Sequence, residues 1–276
     1  MDTGSRAILV TALGVLLCAS ASPAPAEPVR VLEESPDSVI LGTDAFSVQV
    51  DCTGRLGPLT VGETEQIWLI ALYTTPISFQ TGEGLRAVQG ETSRGGLGPA
   101  PESIHADLRG ESATVVISRN CLREEILGGD PLYRLTQTVT VHPTGRVHLR
   151  YEFNWLRLVH LRGANLVIAM RARPLDGCRW SADFTSHALG GTISADPDEH
   201  SLSELRGELR TFTVDCGQAP LHLWVNDGAQ VTVQRWNPDD YAFFMRVPKL
   251  GYPARAYPGV RSLIDLDIVL PVKRED

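Results

Sequence analysis

Residues 132–155 have the sequence LYRLTQTVTVHPTGRVHLRYEFNW, and the spacing of apolar side chains in this stretch decides the fold class. Successive side chains of a β-strand point to opposite faces. Apolar residues occupy every second position on both sides of the Pro-Thr-Gly at 143–145, with one exception. A three-residue loop there, with Gly145 in the left-handed conformation, predicts a bulged hairpin that places Val139 opposite Leu149. The stretch therefore predicts two long antiparallel strands with one apolar and one polar face.

The hairpin register also predicts which side chains are buried. It places Val141 opposite Val147 and Leu135 opposite Phe153, so that apolar side chains share one face. Gln137 is the polar exception on that face. The opposite face collects the polar side chains of the hairpin, which are Thr136, Thr138, Thr140, His148, Arg150, Glu152 and Asn154.

Strand candidates of the same kind recur along the rest of the chain. They are 38–41, 45–51, 55–61, 66–73, 112–119, 132–142, 146–156, 164–171, 207–215, 220–226, 230–236, 241–247 and 262–270. No segment has a long apolar period of 3.6 residues, so helix is predicted to be minor, with a short helical turn at 198–205. The glycine-rich region 81–101 is predicted to be a long surface loop. We therefore expect residues 27–276 to form a single all-β domain, a large two-sheet antiparallel sandwich.

Two further stretches are typical of hairpins. FSVQVDCTGRLGPLTV turns at Cys-Thr-Gly and sets Val50 opposite Leu56. HLWVNDGAQVTVQRW has Asn-Asp-Gly at 226–228, and a three-residue loop there would place Leu223 opposite Val231. The same register would place Leu221 opposite Val233. Both patterns again separate an apolar face from a polar one.

The N-terminus has the pattern of a secretory signal peptide covering residues 1–26. Arg6 precedes an apolar run at 7–19, and Ala-Pro-Ala at 24–26 fits a signal-peptidase site. The alternatives are a buried first helix or a lipoprotein anchored at Cys18, which we disfavour because a bulky leucine precedes it. The apolar run is shorter than the roughly 20 residues that a membrane-spanning helix needs. We therefore expect the mature chain to be secreted or periplasmic and to carry no membrane span.

Four cysteines follow the predicted cleavage site. An even number of cysteines in an exported protein favours disulfides, and three pairings are possible. Free buried thiols are the alternative, because a chain of this length can bury a core large enough to be stable without disulfides. The spacing fits no zinc pattern. The four are Cys52, Cys121, Cys178 and Cys216.

Charge and motifs exclude several function classes. The formal net charge of −8 gives no basic surface for nucleic acid, so we expect no nucleic-acid partner. The acidic cluster ADPDEH at 195–200 lacks the spacing and glycine of an EF-hand and is interpreted as a solvated loop. No nucleophile elbow, phosphate-binding glycine loop or HExxH helix is present. The sequence therefore predicts no metal and no cofactor.

The order of elements resembles the galactose-mutarotase-like supersandwich of aldose epimerases, which also occurs in glycoside hydrolases and polysaccharide lyases. FSVQVDCTGRLGPLTV, YRLTQTVTVHPTGRVHLRYEF and the C-terminal LIDLDIVLPV carry the resemblance. It implies a carbohydrate-binding or carbohydrate-processing β-sandwich. The epimerase motif, a histidine in an NHxYFNL-like segment, has no counterpart here, and neither His142 nor His187 matches it. No catalytic residue can therefore be assigned from the resemblance.

A candidate ligand site follows from the register predicted at 226–228. That register gathers four residues on one polar face: His222, Trp224, Gln234 and Trp236. Indole rings stack on the apolar faces of pyranose rings, while histidine and glutamine bond hydroxyl groups, so this face is a candidate carbohydrate site. The alternative is that a loop or a second sheet covers the face, as is usual for large apolar side chains.

The polar face of the first hairpin is the alternative site. A carboxylate beside an arginine and a histidine could transfer protons, and His148, Arg150 and Glu152 supply these groups. The competing interpretation is a solvated sheet face with cross-strand ion pairs.

Three functions follow from these patterns. They are carbohydrate recognition, a carbohydrate-active enzyme of the epimerase, lyase or hydrolase type, and an envelope structural or interaction protein without a small ligand. Formation of a product separates the first two, and the third predicts no glycan binding.

Overall fold

The computed structural model describes most of the chain after the N-terminal segment. The described residues are 27–81, 84–87, 104–121, 131–196, 202, 205–217, 219–237, 239–250 and 255–272. The predicted signal peptide lies outside them, as do all but two residues of the predicted helical turn at 198–205. The same holds for most of the predicted loop at 81–101.

Nineteen antiparallel strands account for most of the described residues. They are β1 (Arg30–Glu34), β2 (Ser38–Gly42), β3 (Phe46–Asp51), β4 (Leu56–Val61), β5 (Thr64–Ile67), β6 (Leu69–Thr81), β7 (Gly84–Ala87), β8 (Ala106–Arg109), β9 (Ser112–Cys121), β10 (Tyr133–Val141), β11 (Arg146–Trp155), β12 (Val159–Arg171), β13 (Arg179–Phe184), β14 (Ala188–Thr192), β15 (Arg206–Asp215), β16 (Leu221–Asn237), β17 (Asp240–Arg246), β18 (Arg255–Ala256) and β19 (Arg261–Val269). A short 3-10 helix spans Arg173–Leu175. Among the described residues no helix has the length and apolar character needed to cross a membrane. The all-β prediction is confirmed.

The β10–β11 hairpin has the predicted register. Val141 lies opposite Val147, Val139 opposite Leu149 and Leu135 opposite Phe153. Gly145 has a φ of 78°, the left-handed conformation that the bulged turn requires. The turn at 52–54 is also as predicted, with Val50 opposite Leu56. Both predicted registers are confirmed. They were predictable because the turn residues and the spacing of apolar residues specify the same local pairing.

The hairpin predicted at 226–228 is wrong. Residues 221–237 form one strand, β16, which pairs with β15 on both sides of the Asn-Asp-Gly segment. Trp224 lies opposite Thr211 and Ala229 opposite Leu209, so four residues of β16 face a single residue of β15. Gly228, with a φ of 68°, therefore sits in a wide β-bulge instead of a turn.

The side chains assigned to the core by that incorrect register are nevertheless buried. Leu221, Leu223, Val231 and Val233 all belong to the main hydrophobic cluster. The alternation of apolar residues is the same whether the strand turns back or bulges and continues. Burial was therefore predicted correctly although the pairing was not.

The bulged strand β16 joins two layers of sheet. In the first layer the strand order is β8-β9-β10-β11-β19-β16-β15-β13-β14. The second layer has the order β16-β17-β12-β6-β4-β3-β2-β1, with β5, β7 and β18 at its margins. The first half of β16 pairs with β19 and the second half with β17. The result is the predicted two-sheet antiparallel sandwich.

The core between the layers is closed by aromatic and polar contacts. The ring of Phe212 in the first layer lies 4.7 Å from that of Phe243 in the second, measured between centroids. The hydroxyl groups of Thr74 and Tyr133 are 2.9 Å apart across the same interface. Gln137, the polar exception in the apolar pattern, donates through Nε2 to the carbonyl oxygen of Gly54 at 2.9 Å. A buried amide with partners of this kind ties the hairpin to the opposite layer.

A disulfide joins Cys178 to Cys216, linking the start of β13 to the end of β15. Disulfide formation by the later cysteines agrees with the sequence prediction. Cys52 is buried, and the side chain of Cys121 lies outside the described residues.

Candidate functional site

The outward face of the second layer is assembled from four strands that are adjacent in space but not in sequence. Val167 of β12 lies opposite Ala71 of β6 and Phe244 of β17, and Phe244 lies opposite Thr232 of β16. Side chains two residues away on each strand continue the same face. We call this surface the second-layer face.

The centre of the second-layer face, which we call its floor, consists of apolar side chains, three of them alanines. Its buried members are Leu69, Ala71, Val167, Ala169 and Ala242. They form a cluster separate from the main core, and three partly buried aromatic residues, Trp68, Tyr73 and Phe244, pack against it. Because all five members are almost fully buried, larger neighbouring side chains cover this short-chained surface.

A groove of about 490 Å³ opens on this face beside the apolar floor. Its lining residues are Asn165, Arg206, Gly207, Gln230, Val231, Thr232, Gln234, Phe244 and Arg246. Ligand sites of this size typically combine apolar walls with a few polar groups that fix orientation. Here one aromatic wall faces amide, hydroxyl and guanidinium groups, which together can bond several hydroxyls of a ligand.

Arg171 lies at the end of the second-layer face away from the groove, opposite Asp240. Its guanidinium lies 4.6 Å from the centre of the Trp68 ring, and Nη1 donates to Oδ1 of buried Asp240 at 2.9 Å. Nε donates to Oε1 of Glu65 at 3.2 Å. This arrangement fixes the Trp68 ring at the edge of the floor.

The structure divides the four residues of the predicted ligand site. Gln234 lines the groove of the second layer, whereas His222 and Trp224 lie on the outward face of the first layer. Trp236 belongs to β16, but its side chain lies outside the described residues. The division follows from the bulge, because β16 passes from one layer to the other where a turn was predicted.

On the first layer, the rings of His222 and Trp224 stack on each other. Their ring centroids are 5.2 Å apart and the ring planes differ by 5°. Trp224 is 39% exposed, and Nδ1 of His222 lies 2.9 Å from the hydroxyl of Thr213. Burial lowers the pKa of His222, so the ring is neutral at neutral pH.

The alternative predicted site lies on this same face of the first layer. Strand β19 separates the two predicted sets, with Asp267 opposite His148 on one side and opposite Trp224 on the other. In the same way Asp265 lies opposite Arg150. The two sites that the sequence suggested separately are therefore neighbours, and we call their common surface the first-layer face.

Asp267 is the centre of an ion-pair network on the first-layer face. Arg146 donates to both of its carboxylate oxygens, from Nε at 2.7 Å and from Nη2 at 2.9 Å, and Nδ1 of His148 lies 3.1 Å from Oδ1. Burial alone would raise the pKa of Asp267, but hydrogen bonds from Arg146 and His148 bring it below its ordinary value. The carboxylate is therefore ionised and fully engaged by its neighbours.

Arg150 and Asp265 on the first-layer face also have hydrogen-bond partners. Arg150 donates from Nη2 to Oε1 of Glu152 at 2.7 Å, and the amide of Asn226 donates to Oδ1 of Asp265. Such pairing is typical of a sheet surface stabilised by cross-strand contacts. A ligand would have to displace these partners, whereas the groove of the second layer is already open.

Within the part of the chain that the structure describes, no cluster of three or more His, Cys, Asp or Glu side chains is placed to hold a metal ion. Of the acidic cluster at 195–200, residues 197–200 lie outside the described ranges.

Sequence reasoning missed most of the groove and both aspartates of the first-layer face. Asp265 and Asp267 could have been found, because LIDLDIVL places them on the polar side of an alternating strand. Asn165, Arg206 and Arg246 lie in three separate strands. Only long-range pairing brings them together.

Comparison with known proteins supports the fold. No family model matches the chain, and no curated protein matches its sequence. Among solved structures, a galactose mutarotase-like protein from Clostridium acetobutylicum is similar, with 7% identity and a TM-score of 0.53 over 89% of this chain and 98% of that one.

Two further structures agree with this likeness. The galactose 1-epimerase of Lactobacillus acidophilus has 10% identity and a TM-score of 0.54, covering 87% of this chain and 97% of its own. An aldose epimerase homologue from C. elegans has 8% identity and a TM-score of 0.51, covering 86% and 100% respectively. The chain therefore has a galactose-mutarotase-like fold, as the sequence resemblance predicted.

Proposed function

We propose that this galactose-mutarotase-like sandwich binds carbohydrate in the groove of the second layer. The observation that carries the proposal is the placement of the Phe244 ring beside Gln234, Gln230 and Asn165 in one open groove. An aromatic ring can stack on the apolar C–H face of a pyranose while the amides bond its hydroxyl groups. Galactose 1-epimerase has a related fold, so pyranoses of the galactose type are the first ligands to test.

The residues that line the groove favour carbohydrate binding over catalysis. Its polar lining consists of amides, a threonine hydroxyl and two guanidinium groups. Amide, hydroxyl and guanidinium groups hold a ligand by hydrogen bonds, and they are not the groups that usually act as a general acid or base. An enzyme would need an acid and a base at the reacting atoms.

The stacked pair of His222 and Trp224 is the second candidate carbohydrate site. Its support is the exposed indole ring, since a large aromatic ring on a polar sheet face is a usual binding feature. It ranks below the groove because the indole ring is already stacked on His222 and the neighbouring charges, such as Asp267, are already paired. The two candidates lie on different layers, so single substitutions can separate them.

A glycan array probed with the exported protein tests the proposal. We expect binding to galactose-type glycans, and Gln234→Ala should weaken it about 3- to 10-fold, the usual effect of one lost hydrogen bond. Trp224→Ala is the matched control and should leave the affinity unchanged. If Trp224→Ala removes binding while Gln234→Ala does not, the site is on the first-layer face. No binding to any glycan would favour the envelope structural or interaction role.

We also propose that the chain is exported. Arg6, the apolar run at 7–19 and Ala-Pro-Ala at 24–26 support this, and so does the Cys178–Cys216 disulfide, because disulfides persist in oxidising compartments. Mass spectrometry of protein from its native host should find a mature N-terminus near Glu27. Retention of Met1 would contradict export by this signal.

A further inference from the structure

The groove of the second layer differs in charge from the protein as a whole. The chain has a formal net charge of −8, yet among the described residues the charged ones that line the groove are Arg206 and Arg246. Guanidinium groups bond carboxylates and similar anions in a planar, two-pronged geometry. A pair of them in an open groove on an acidic protein points to an anionic ligand.

The two arginines approach the groove from opposite sides. Arg206 lies in β15 opposite Thr232 of β16, while Arg246 lies in β17 opposite Asn165 of β12. Strand β16 runs between β15 and β17, so these two strands are about 10 Å apart. Because Met245 lies opposite Val231, Arg246 is level with Gln230, two residues along β16 from the partner of Arg206. Arginine side chains are long enough to converge on one group placed between them.

The side chain of Arg206 is available for a ligand. It is exposed at the first position of β15, and it makes no ion pair or side-chain hydrogen bond with any described residue. Glu208, two residues further along β15, lies opposite Gln230 and is not part of the groove lining. This carboxylate would repel an anion near Gln230 and favour a position beside Thr232.

We propose that the groove takes an acidic sugar whose anionic group lies between Arg206 and Arg246. This inference rests on the proposed carbohydrate function and specifies its ligand class. The Phe244 ring stacks on the sugar and Gln234 bonds its hydroxyls, while the guanidinium groups bond the carboxylate or sulfate that the ring carries. A neutral sugar cannot form these ion pairs and therefore binds more weakly.

Isothermal titration of the exported protein with three oligosaccharides tests the inference. The probes are oligogalacturonate, a sulfated galactan fragment and a neutral galactan fragment of the same length. We expect one or both anionic probes to bind about 10- to 100-fold more tightly than the neutral one, with affinity falling as salt rises. The two anionic probes distinguish a carboxylate from a sulfate ligand.

Two substitutions make the result specific to the groove. Arg206→Gln should remove most of the preference, so that the affinities of the anionic and neutral probes differ by no more than about 3-fold. Arg179→Gln is the matched control, because Arg179 is an exposed arginine on β13 of the first layer that pairs with Asp215. Equal affinity for all three probes, or an unchanged preference in Arg206→Gln, would overturn the inference while leaving carbohydrate binding in place. No binding of any probe would instead count against the proposed function itself.

Discussion

Replacing Trp155 with alanine is expected to lower the free energy of unfolding by about 3–5 kcal/mol. Trp155 is 0% exposed at the end of β11. Its ring lies 4.7 Å from that of Tyr133, and its indole nitrogen is 3.4 Å from the hydroxyl of Ser262. The substitution removes these contacts and leaves a cavity where two strands of the first layer meet the core.

Trp224→Ala is the matched control for this prediction, because it removes the same side chain from an exposed position. Trp224 is 39% exposed and its main ring contact is with His222, so its loss should cost about 1 kcal/mol or less. Chemical denaturation of the two variants measures the difference. Similar losses in both would show that Trp224 is packed as a core residue.

The second large effect is expected at Leu149. Leu149→Ala should cost about 2–5 kcal/mol, because the side chain is fully buried in the main hydrophobic cluster. Arg150→Ala, one residue along the same strand, should cost about 1 kcal/mol or less, since its ion pairs are at the surface. Denaturant melts give both values. A larger loss for Arg150→Ala would reverse the assignment of the faces.

The hairpin at 132–155 was predictable because its information is local. A period of two fixes the faces, and a Pro-Thr-Gly turn fixes the register within a few residues. The structure confirms each predicted pair, and Gly145 has the expected positive φ. Overall fold class followed from repetition of the same pattern along the chain.

Strand β16 shows where local information ends. An Asn-Asp-Gly segment with a glycine at positive φ fits a hairpin loop and also fits a bulge. The choice is made by β15, which pairs with both halves of β16 and lies outside the segment. A sequence pattern that stabilises two local structures equally cannot predict which of them a distant strand selects.

The candidate site was only partly predictable for the same reason. Gln234 was selected from its strand pattern, but Arg206 and Arg246 became candidates only when β15, β16 and β17 were placed side by side. In the sequence alone, each of these two arginines is one of several polar residues on a strand with alternating apolar and polar side chains. The first-layer face needed β19 in the same way, since Asp267 connects two predicted sets of residues.

The location of the carbohydrate site is tested most directly by a crystal structure of the protein with a bound oligosaccharide selected from the glycan array. We expect a pyranose ring against Phe244, with hydroxyl groups bonded to Gln234 and Asn165 in the groove of the second layer. A ring stacked instead on Trp224, above Asp267 of the first-layer face, would contradict the assignment of the groove as the site.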